Sequence, residues 1–150
     1  LVKAAILENK FYNSRPAQAL LATAVADWVK SKQLANVCFI PVPLGKDRQQ
    51  VRGHNQVVSV LQQSSQTYVG DVLSRTKETV PQASLDRQHR LYSIKNAFVC
   101  DVQKIKTLSY PIIILLDDVV TTGATLNEAR ATLVPHLHPD TTLICLALAH

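Results

Sequence analysis

An aliphatic run that ends in two acids and then in a cluster of hydroxyls is the segment best suited to chemistry. The run is Ile-Ile-Ile-Leu-Leu over residues 112–116, and Asp117 and Asp118 follow it directly. Two valines separate the acids from a turn, and a helical pattern follows that turn. The turn is Thr121, Thr122, Gly123, Ala124 and Thr125. This order predicts a buried strand that carries two carboxylates to its end and then turns into a helix.

Residues 117–125 have groups that suit a sugar phosphate. Unpaired N–H groups at the start of a helix attract an anion, and the threonine hydroxyls add further donors. Gly123 permits positive φ and close approach of the backbone. We therefore predict that this turn binds one phosphate. Asp117 and Asp118 only accept hydrogen bonds, so they suit sugar hydroxyls or a hydrated Mg²⁺.

A structural interpretation of the same turn is a capping box. Thr125 and Glu128 have the S/T-x-x-E spacing that begins many helices. A capping box does not explain two consecutive acids after an aliphatic strand, because burial of an unpaired carboxylate is costly. We favour ligand binding and keep the capping box as the alternative. The sequence contains neither G-x-x-x-x-G-K-[ST] nor G-x-G-x-x-G.

A basic loop follows the first predicted strand, and its cations could hold a pyrophosphate. The residues assigned to this pyrophosphate site are Leu44, Gly45, Lys46, Arg48 and Arg52. The alternative is a solvated loop that is capped by Asn55 ahead of a helix.

Residues 74–85 are polar, lean basic and have no apolar period. We predict a mobile loop that closes over a diphosphate as a lid. The lid residues are Arg75, Lys77, Gln82 and, just beyond this loop, Arg87. The alternative is an ordinary exposed loop before a helix with solvated arginines.

Helices and strands alternate along the chain. The patterns predict helices over residues 17–34, 55–63, 86–94 and 124–137, the last with an early stop at Pro135. They predict strands over residues 37–42, 68–73, 97–102, 111–116 and 141–149. Two of these strands are apolar throughout, which indicates a parallel α/β sheet covered on both faces. Ligands of such sheets bind at the carboxyl ends of strands, where residues 41–53 and 117–125 lie.

Composition places the chain among globular proteins. Apolar residues make up 47% and charged residues 18% of 150 residues, and the net charge is +5. We expect one domain over residues 1–150 and no membrane span, since no apolar run approaches about 20 residues. The chain starts at Leu1 and has no Met, so we expect its natural N-terminus to be missing.

Three cysteines lie far apart, without zinc spacing. Their odd number, and the apolar neighbours of Cys38 and Cys145, predict buried free thiols in a reducing compartment, the cytoplasm.

The string from Asp117 to Thr125 resembles the ribose-phosphate signature of type I phosphoribosyltransferases. Together with further residues, this string resembles the ComF family of competence-associated, phosphoribosyltransferase-like proteins. The resemblance covers most of the chain from about residue 10 onward. The further residues are Val42-Pro43-Leu44, Arg52-Gly53-His54-Asn55-Gln56, Arg75, Thr79, Gln82, Leu85, Arg90, Asn96, Ala97, Phe98 and Ala147-Leu148-Ala149. His54 stands where the family usually has Phe. The zinc-binding cysteine segment of many members is not among these residues.

The resemblance implies the type I phosphoribosyltransferase fold, a mostly parallel twisted sheet with helices on both faces. It implies binding of 5-phosphoribosyl-1-pyrophosphate (PRPP) with Mg²⁺. Asp117 and Asp118 would meet the ribose 2′- and 3′-hydroxyls and, through water, the metal, while residues 121–125 would wrap the 5′-phosphate. The expected function is transfer or recognition of the 5-phosphoribosyl group, with an unidentified acceptor, in natural competence and DNA uptake.

A non-enzymatic competence factor is the alternative function, with single-stranded DNA or a helicase as its partner. Residues 45–106 contain ten Lys and Arg against five Asp and Glu. Stacking platforms for single strands also need aromatic residues. That stretch offers only Tyr68, Tyr92 and Phe98, so the pattern does not favour DNA binding. A second copy of the chain, as a homodimer, is a further candidate partner.

Overall fold

The computed structural model describes residues 2–45, 53–76 and 96–149. Its helices are α1 (Val2–Tyr12), α2 (Arg15–Ser31), α3 (Gln56–Gln63), α4 (Val102–Lys106) and α5 (Ala124–Leu133), followed by a 3₁₀ turn (Val134–His136). Its strands are β1 (Val37–Pro41), β2 (Leu73–Arg75), β3 (Phe98–Cys100), β4 (Ile112–Val119) and β5 (Thr142–Ala149). None of the helices in these ranges combines the length and the apolar character that a membrane-spanning helix needs.

Strand β4 is the middle of a parallel three-stranded sheet of order β1-β4-β5. The register places Ile114 opposite Phe39 on β1 and opposite Ile144 on β5. Strands β2 and β3 form a separate antiparallel pair, with Arg75 opposite Phe98. The prediction of an α/β protein with a parallel sheet and helices is confirmed.

Alternate residues of β4 enter two different hydrophobic clusters. Ile114 and Leu116 pack with apolar residues of α1, α2 and α3. Ile113 and Leu115 pack with apolar residues of β2, β3, α4 and α5. Both faces of β4 are therefore covered, and all four side chains are at most 1% exposed. This burial explains why the strand is aliphatic throughout rather than alternating with polar residues.

Several elements differ from the sequence-based expectations. Helix α1 was not predicted, because its core contact consists only of Ala5, Ile6 and Asn9 and leaves little apolar periodicity. The strand predicted over residues 97–102 ends at Cys100, and Val102 begins helix α4 instead, since the Asp101 carboxylate caps this helix by accepting from the N–H groups of Gln103 and Lys104.

Of the region predicted as a strand over residues 68–73, the first five residues contain only an isolated bridge between Tyr68 and Phe39. The strand begins at Leu73 instead and continues to Arg75, so the predicted loop over residues 74–85 is wrong at its first two positions. Helix α5 stops at Leu133, as Pro135 suggested. The helix predicted over residues 86–94 lies outside the described residues.

The cysteines differ from one another in exposure. Cys38 is buried in β1, and this burial raises the pKa of its thiol to about 11. Cys100 is half-buried. Cys145 is exposed, so the prediction of buried thiols is wrong for this residue. The reason is that β5 lies at the edge of the three-stranded sheet and is only partly covered.

Ile114 and Ile144 provide a matched pair for testing the central place of β4. Ile114 is 0% exposed, whereas its register partner Ile144 is half-buried. We expect Ile114→Ala to lower the free energy of unfolding by about 3–4 kcal/mol, since a cavity would remain in a closed core. Ile144→Ala should cost about 1–2 kcal/mol. Urea denaturation measures both, and equal losses would contradict this description of the core.

Candidate functional site

The two acids lie within the last three residues of β4, which is longer than predicted. The strand continues through Asp117 and Asp118 to Val119, and Asp117 is in register with Ala147 of β5. Strand pairing therefore holds the backbone of both acids. The carboxylates consequently stand on a rigid element and not on a loop.

The ends of the predicted pyrophosphate loop meet the end of β4. The N–H of Val42 donates to the Leu116 carbonyl over 2.9 Å. The side-chain amide of Asn55 donates to the Val42 carbonyl over 3.1 Å. Leu44 is half-buried and Gly45 is buried in this segment. Lys46, Arg48 and Arg52 lie outside the described residues, so their assignment stays a prediction.

Both carboxylates are oriented by nearby donors. Asp117 Oδ1 accepts from the N–H of Asp118 over 2.8 Å, and Asp118 Oδ1 accepts from the N–H of Val119 over 2.7 Å. Asp118 Oδ2 accepts from Gln56 Nε2 over 2.5 Å. Gln56 was not among the residues predicted for this site. The available signal was Asn55, which caps α3 and so places Gln56 at the first helical position.

Burial and charge act together on Asp117. Desolvation, with the neighbouring Asp118 charge, raises the pKa of Asp117 to about 7. The Arg75 guanidinium opposes this effect and lowers the same pKa. The site therefore contains one carboxyl whose ionisation is costly and one cation that acts on it.

Arg75 occupies a different place from the one predicted. It belongs to strand β2, pairs with Phe98, and its guanidinium carbon lies 5.4 Å from the centre of the Phe98 ring. A strand partner and a cation–π contact position this side chain. The other three lid residues, Lys77, Gln82 and Arg87, lie outside the described residues, and their assignment to a lid stays a prediction.

The turn before α5 has the backbone expected of a glycine-dependent helix start. Gly123 has φ 74° and is the N-cap of α5. The N–H of Ala124 donates to Thr122 Oγ1 over 3.4 Å. The first intrahelical bond runs from Asn127 N to the Gly123 carbonyl, so the N–H groups of Thr125 and Leu126 precede the helical ladder.

The capping box is wrong as an account of this helix start. A capping threonine would stand at the N-cap, but Gly123 occupies that position and Thr125 lies inside the helix. Glu128 does not reach back to the turn either. Its Oε1 accepts from the N–H of Asn96 over 2.6 Å, which ties α5 to the residue two positions before β3.

A small concavity, the turn pocket, lies between Asp117 and the start of α5. It has a volume of about 20 Å³. Its lining residues are Asp117, Val119, Val120, Thr121, Thr122, Gly123, Ala124, Thr125 and Leu126. The structure thus brings Asp117 and all five predicted turn residues around one space. A larger concavity of about 720 Å³ includes Pro111 and Thr141, at the opposite ends of β4 and β5.

The donor set suits a hydrated cation better than a protein-enclosed one. Across the described ranges, no group of three or more His, Cys, Asp or Glu could hold a metal ion. Asp117 and Asp118 alone would leave most ligand positions to water and to substrate oxygens. Mg²⁺ is commonly bound in that way, with one or two carboxylates and several waters.

Comparison with known proteins identifies competence proteins as relatives. The chain is 38% identical over 126 residues to Competence protein F of Haemophilus influenzae, a match that covers 81% of this chain and 55% of that protein. It is 33% identical over 92 residues to Competence protein ComFC of Streptococcus pneumoniae, covering 61% of this chain and 39% of that protein. No family model matches. The chain therefore spans about half or less of the length of these curated relatives.

Replacement of Asp117 should change how stability depends on pH. Its pKa is raised in the folded protein, so the folded state binds a proton more tightly and Asp117 costs stability as the pH rises towards about 7. Asn mimics the neutral acid. We expect the free energy of unfolding of Asp117→Asn, relative to that of the parent, to increase by about 1–3 kcal/mol from pH 5 to pH 8. Chemical denaturation in EDTA at both pH values measures it, and a difference independent of pH would contradict the expectation.

Gly123 and Gly70 form a matched pair for the helix start. Gly123 has positive φ, while an added Cβ would meet only Asn127 Nδ2 at 3.7 Å, so the cost of a side chain there lies in the backbone. We expect Gly123→Ala to destabilise by about 1–2 kcal/mol. Gly70 has no positive φ and open space around it, so Gly70→Ala should be neutral or slightly stabilising. Thermal unfolding compares them, and an unaffected Gly123→Ala would argue against the left-handed turn.

Proposed function

We propose that this chain is a phosphoribosyltransferase-like domain that binds PRPP with Mg²⁺ and takes part in competence. Its matches to competence proteins F and ComFC support membership of the ComF family. One observation carries the proposal. Two fixed carboxylates at the end of β4 stand close to a helix start whose first residues line the turn pocket. This combination offers acceptors for sugar hydroxyls beside donors for a phosphate.

The phosphate half of the proposal rests on α5. The N–H groups of Thr125 and Leu126 lie before the first helical hydrogen bond, at the positive end of the helix dipole. Gly123 adds no Cβ to the turn. The hydroxyls of Thr121 and Thr122 supply further donors around the same space. We assign the 5′-phosphate to this position.

The ribose half rests on the acids. Each oxygen of Asp118 already accepts one hydrogen bond and has a second lone pair for a ligand. Asp117 lines the turn pocket itself. We assign the ribose 2′- and 3′-hydroxyls to this pair. Mg²⁺ would be held by the same carboxylates through water, and when bound it supplies charge neutralisation at the departing pyrophosphate.

The diphosphate would lie along the segment that follows β1. Leu44 and Gly45 begin this segment beside the end of β4, and Lys46, Arg48 and Arg52 supply its positive charge. If the domain is catalytic, these cations stabilise charge on the leaving pyrophosphate while an acceptor attacks the ribose C1. Arg75 acts on Asp117 from β2, so we assign it to the ribose side and not to a lid.

The alternative is a non-enzymatic competence factor that handles single-stranded DNA or a helicase partner. The names of the relatives speak of competence and not of phosphoribosyl chemistry. The two functions make opposite demands on the acids, because carboxylates help to bind ribose hydroxyls but repel a polyanion.

Replacement of the acids separates the two functions. Asp118→Asn and Asp117→Asn keep size, remove a negative charge and introduce donors where acceptors are needed. We expect PRPP affinity to fall about ten- to a hundredfold, the value of one charged hydrogen bond. Single-stranded DNA should bind as before or slightly more tightly, with an unchanged salt dependence. Titration calorimetry with PRPP and Mg²⁺, and DNA binding at two salt concentrations, give both results.

Asp27→Asn is the matched control, since Asp27 is exposed on α2. It removes the same charge and should leave PRPP affinity unchanged. If both site variants bind PRPP as well as the parent does, the ribose-phosphate assignment of residues 117–125 fails.

A further inference from the structure

A row of buried amides connects the first two helices to the acidic pair. Gln18 Nε2 on α2 donates to Asn9 Oδ1 on α1 over 3.0 Å. Asn9 Nδ2 donates to the main-chain carbonyl of Gln56 over 3.2 Å, and Gln56 Nε2 donates to Asp118 Oδ2. Asn9 and Gln56 are each 1% exposed, and Gln18 is 5% exposed. The contacts join positions that are up to 62 residues apart.

Burial of the Gln56 side chain at this position costs free energy. A buried amide needs partners for its donor and its acceptor, and an unpaired one costs free energy. Gln56 Oε1 is buried and has no hydrogen-bond partner among the described residues. An apolar side chain of similar length would avoid that cost. Stability alone therefore does not explain Gln56, whereas its bond to Asp118 does.

We propose that Gln56 is a positioning residue for Asp118 and that it sets a preference for ribose over 2-deoxyribose in the bound sugar. The inference rests on the proposed function. Val119 N–H holds Asp118 Oδ1 and Gln56 holds Oδ2, so rotation of the carboxylate is prevented. The remaining lone pairs then point in fixed directions, which is what recognition of a particular hydroxyl requires.

Asn9 supports this arrangement from α1. It holds the peptide of Gln56 through the main-chain carbonyl. The main-chain carbonyl oxygen of Asn9 also lies 3.4 Å from His54 Nε2. Helix α1 thus contacts the two residues that flank the cap of α3. Asn9 fixes the position of the Gln56 backbone, and the Gln56 side chain fixes the orientation of the Asp118 carboxylate.

The test compares two buried glutamines of the same network. Gln56→Met keeps length and burial but removes the donor to Asp118. Gln18→Met removes a buried amide whose hydrogen-bond partners in the described part of the chain are Asn9, Asn13 and Gln63, and not Asp118. The probes are ribose 5-phosphate and 2-deoxyribose 5-phosphate, each titrated with Mg²⁺ by calorimetry. The parent should prefer ribose 5-phosphate by about tenfold or more, the worth of a hydrogen bond to a charged group.

We expect Gln56→Met to reduce this preference to about threefold or less, because the carboxylate is then held at Oδ1 alone and its direction is less restricted. Gln18→Met should keep the parent's preference even if it lowers the melting temperature. Gln56→Leu is the second variant in case Gln56→Met fails to fold. Leu is a good helix former and has no group that could donate to Asp118, so the preference should again be lost.

Preference retained in the Gln56 variants overturns the positioning role while the proposed function stands. Preference lost equally in Gln18→Met also overturns it, because the effect would then be a general loosening of the network. A parent that binds neither sugar phosphate overturns the proposed function, and the positioning role with it.

Discussion

Pairing of β4 with a parallel strand on each side is the constraint on which the rest of the structure depends. It satisfies both hydrogen-bonding edges of the strand, while the helices and the β2–β3 pair cover its two faces, so Ile113 to Leu116 are buried and aliphatic. It also fixes the direction in which the chain leaves the sheet. The residues after Leu116 emerge beside the end of β1, where Val42 bonds to the Leu116 carbonyl. The position of the acids follows from this geometry.

Two carboxylates so close to a sealed core create an electrostatic cost. The structure reduces it in different ways for the two acids. Asp118 receives donors from Val119 and Gln56, one on each oxygen. Asp117 receives the Asp118 N–H and the field of Arg75, and its pKa is nonetheless raised by burial. Such a cost is typical of a ligand-binding site, since a purely structural strand end would not need two adjacent carboxylates.

The helices that precede the sheet contribute to the site as well as to the core. Helix α2 supplies Leu21 and Val25 to the cluster beneath Ile114. Helix α1 contributes little apolar surface, yet its Asn9 contacts both His54 and Gln56. Helix α1, which has a weak hydrophobic pattern, therefore contributes to the site through its polar contacts. The same network explains how residues far from the acids in sequence hold them in place.

Local order in the sequence determined the strand, the two acids, the glycine turn and the helix after it, because these features are contiguous and follow simple periods. The aliphatic pattern of residues 112–116 likewise determined a parallel sheet covered on both faces. Only the tertiary structure decided that Gly123 and not Thr125 caps α5, that Glu128 bonds to Asn96, that Arg75 acts on Asp117, and that Gln56 holds Asp118. Glu128 lies 32 residues from Asn96 in the chain, and Asp118 lies 62 residues from Gln56. Such pairings depend on how the elements pack, which no pattern of neighbouring residues records.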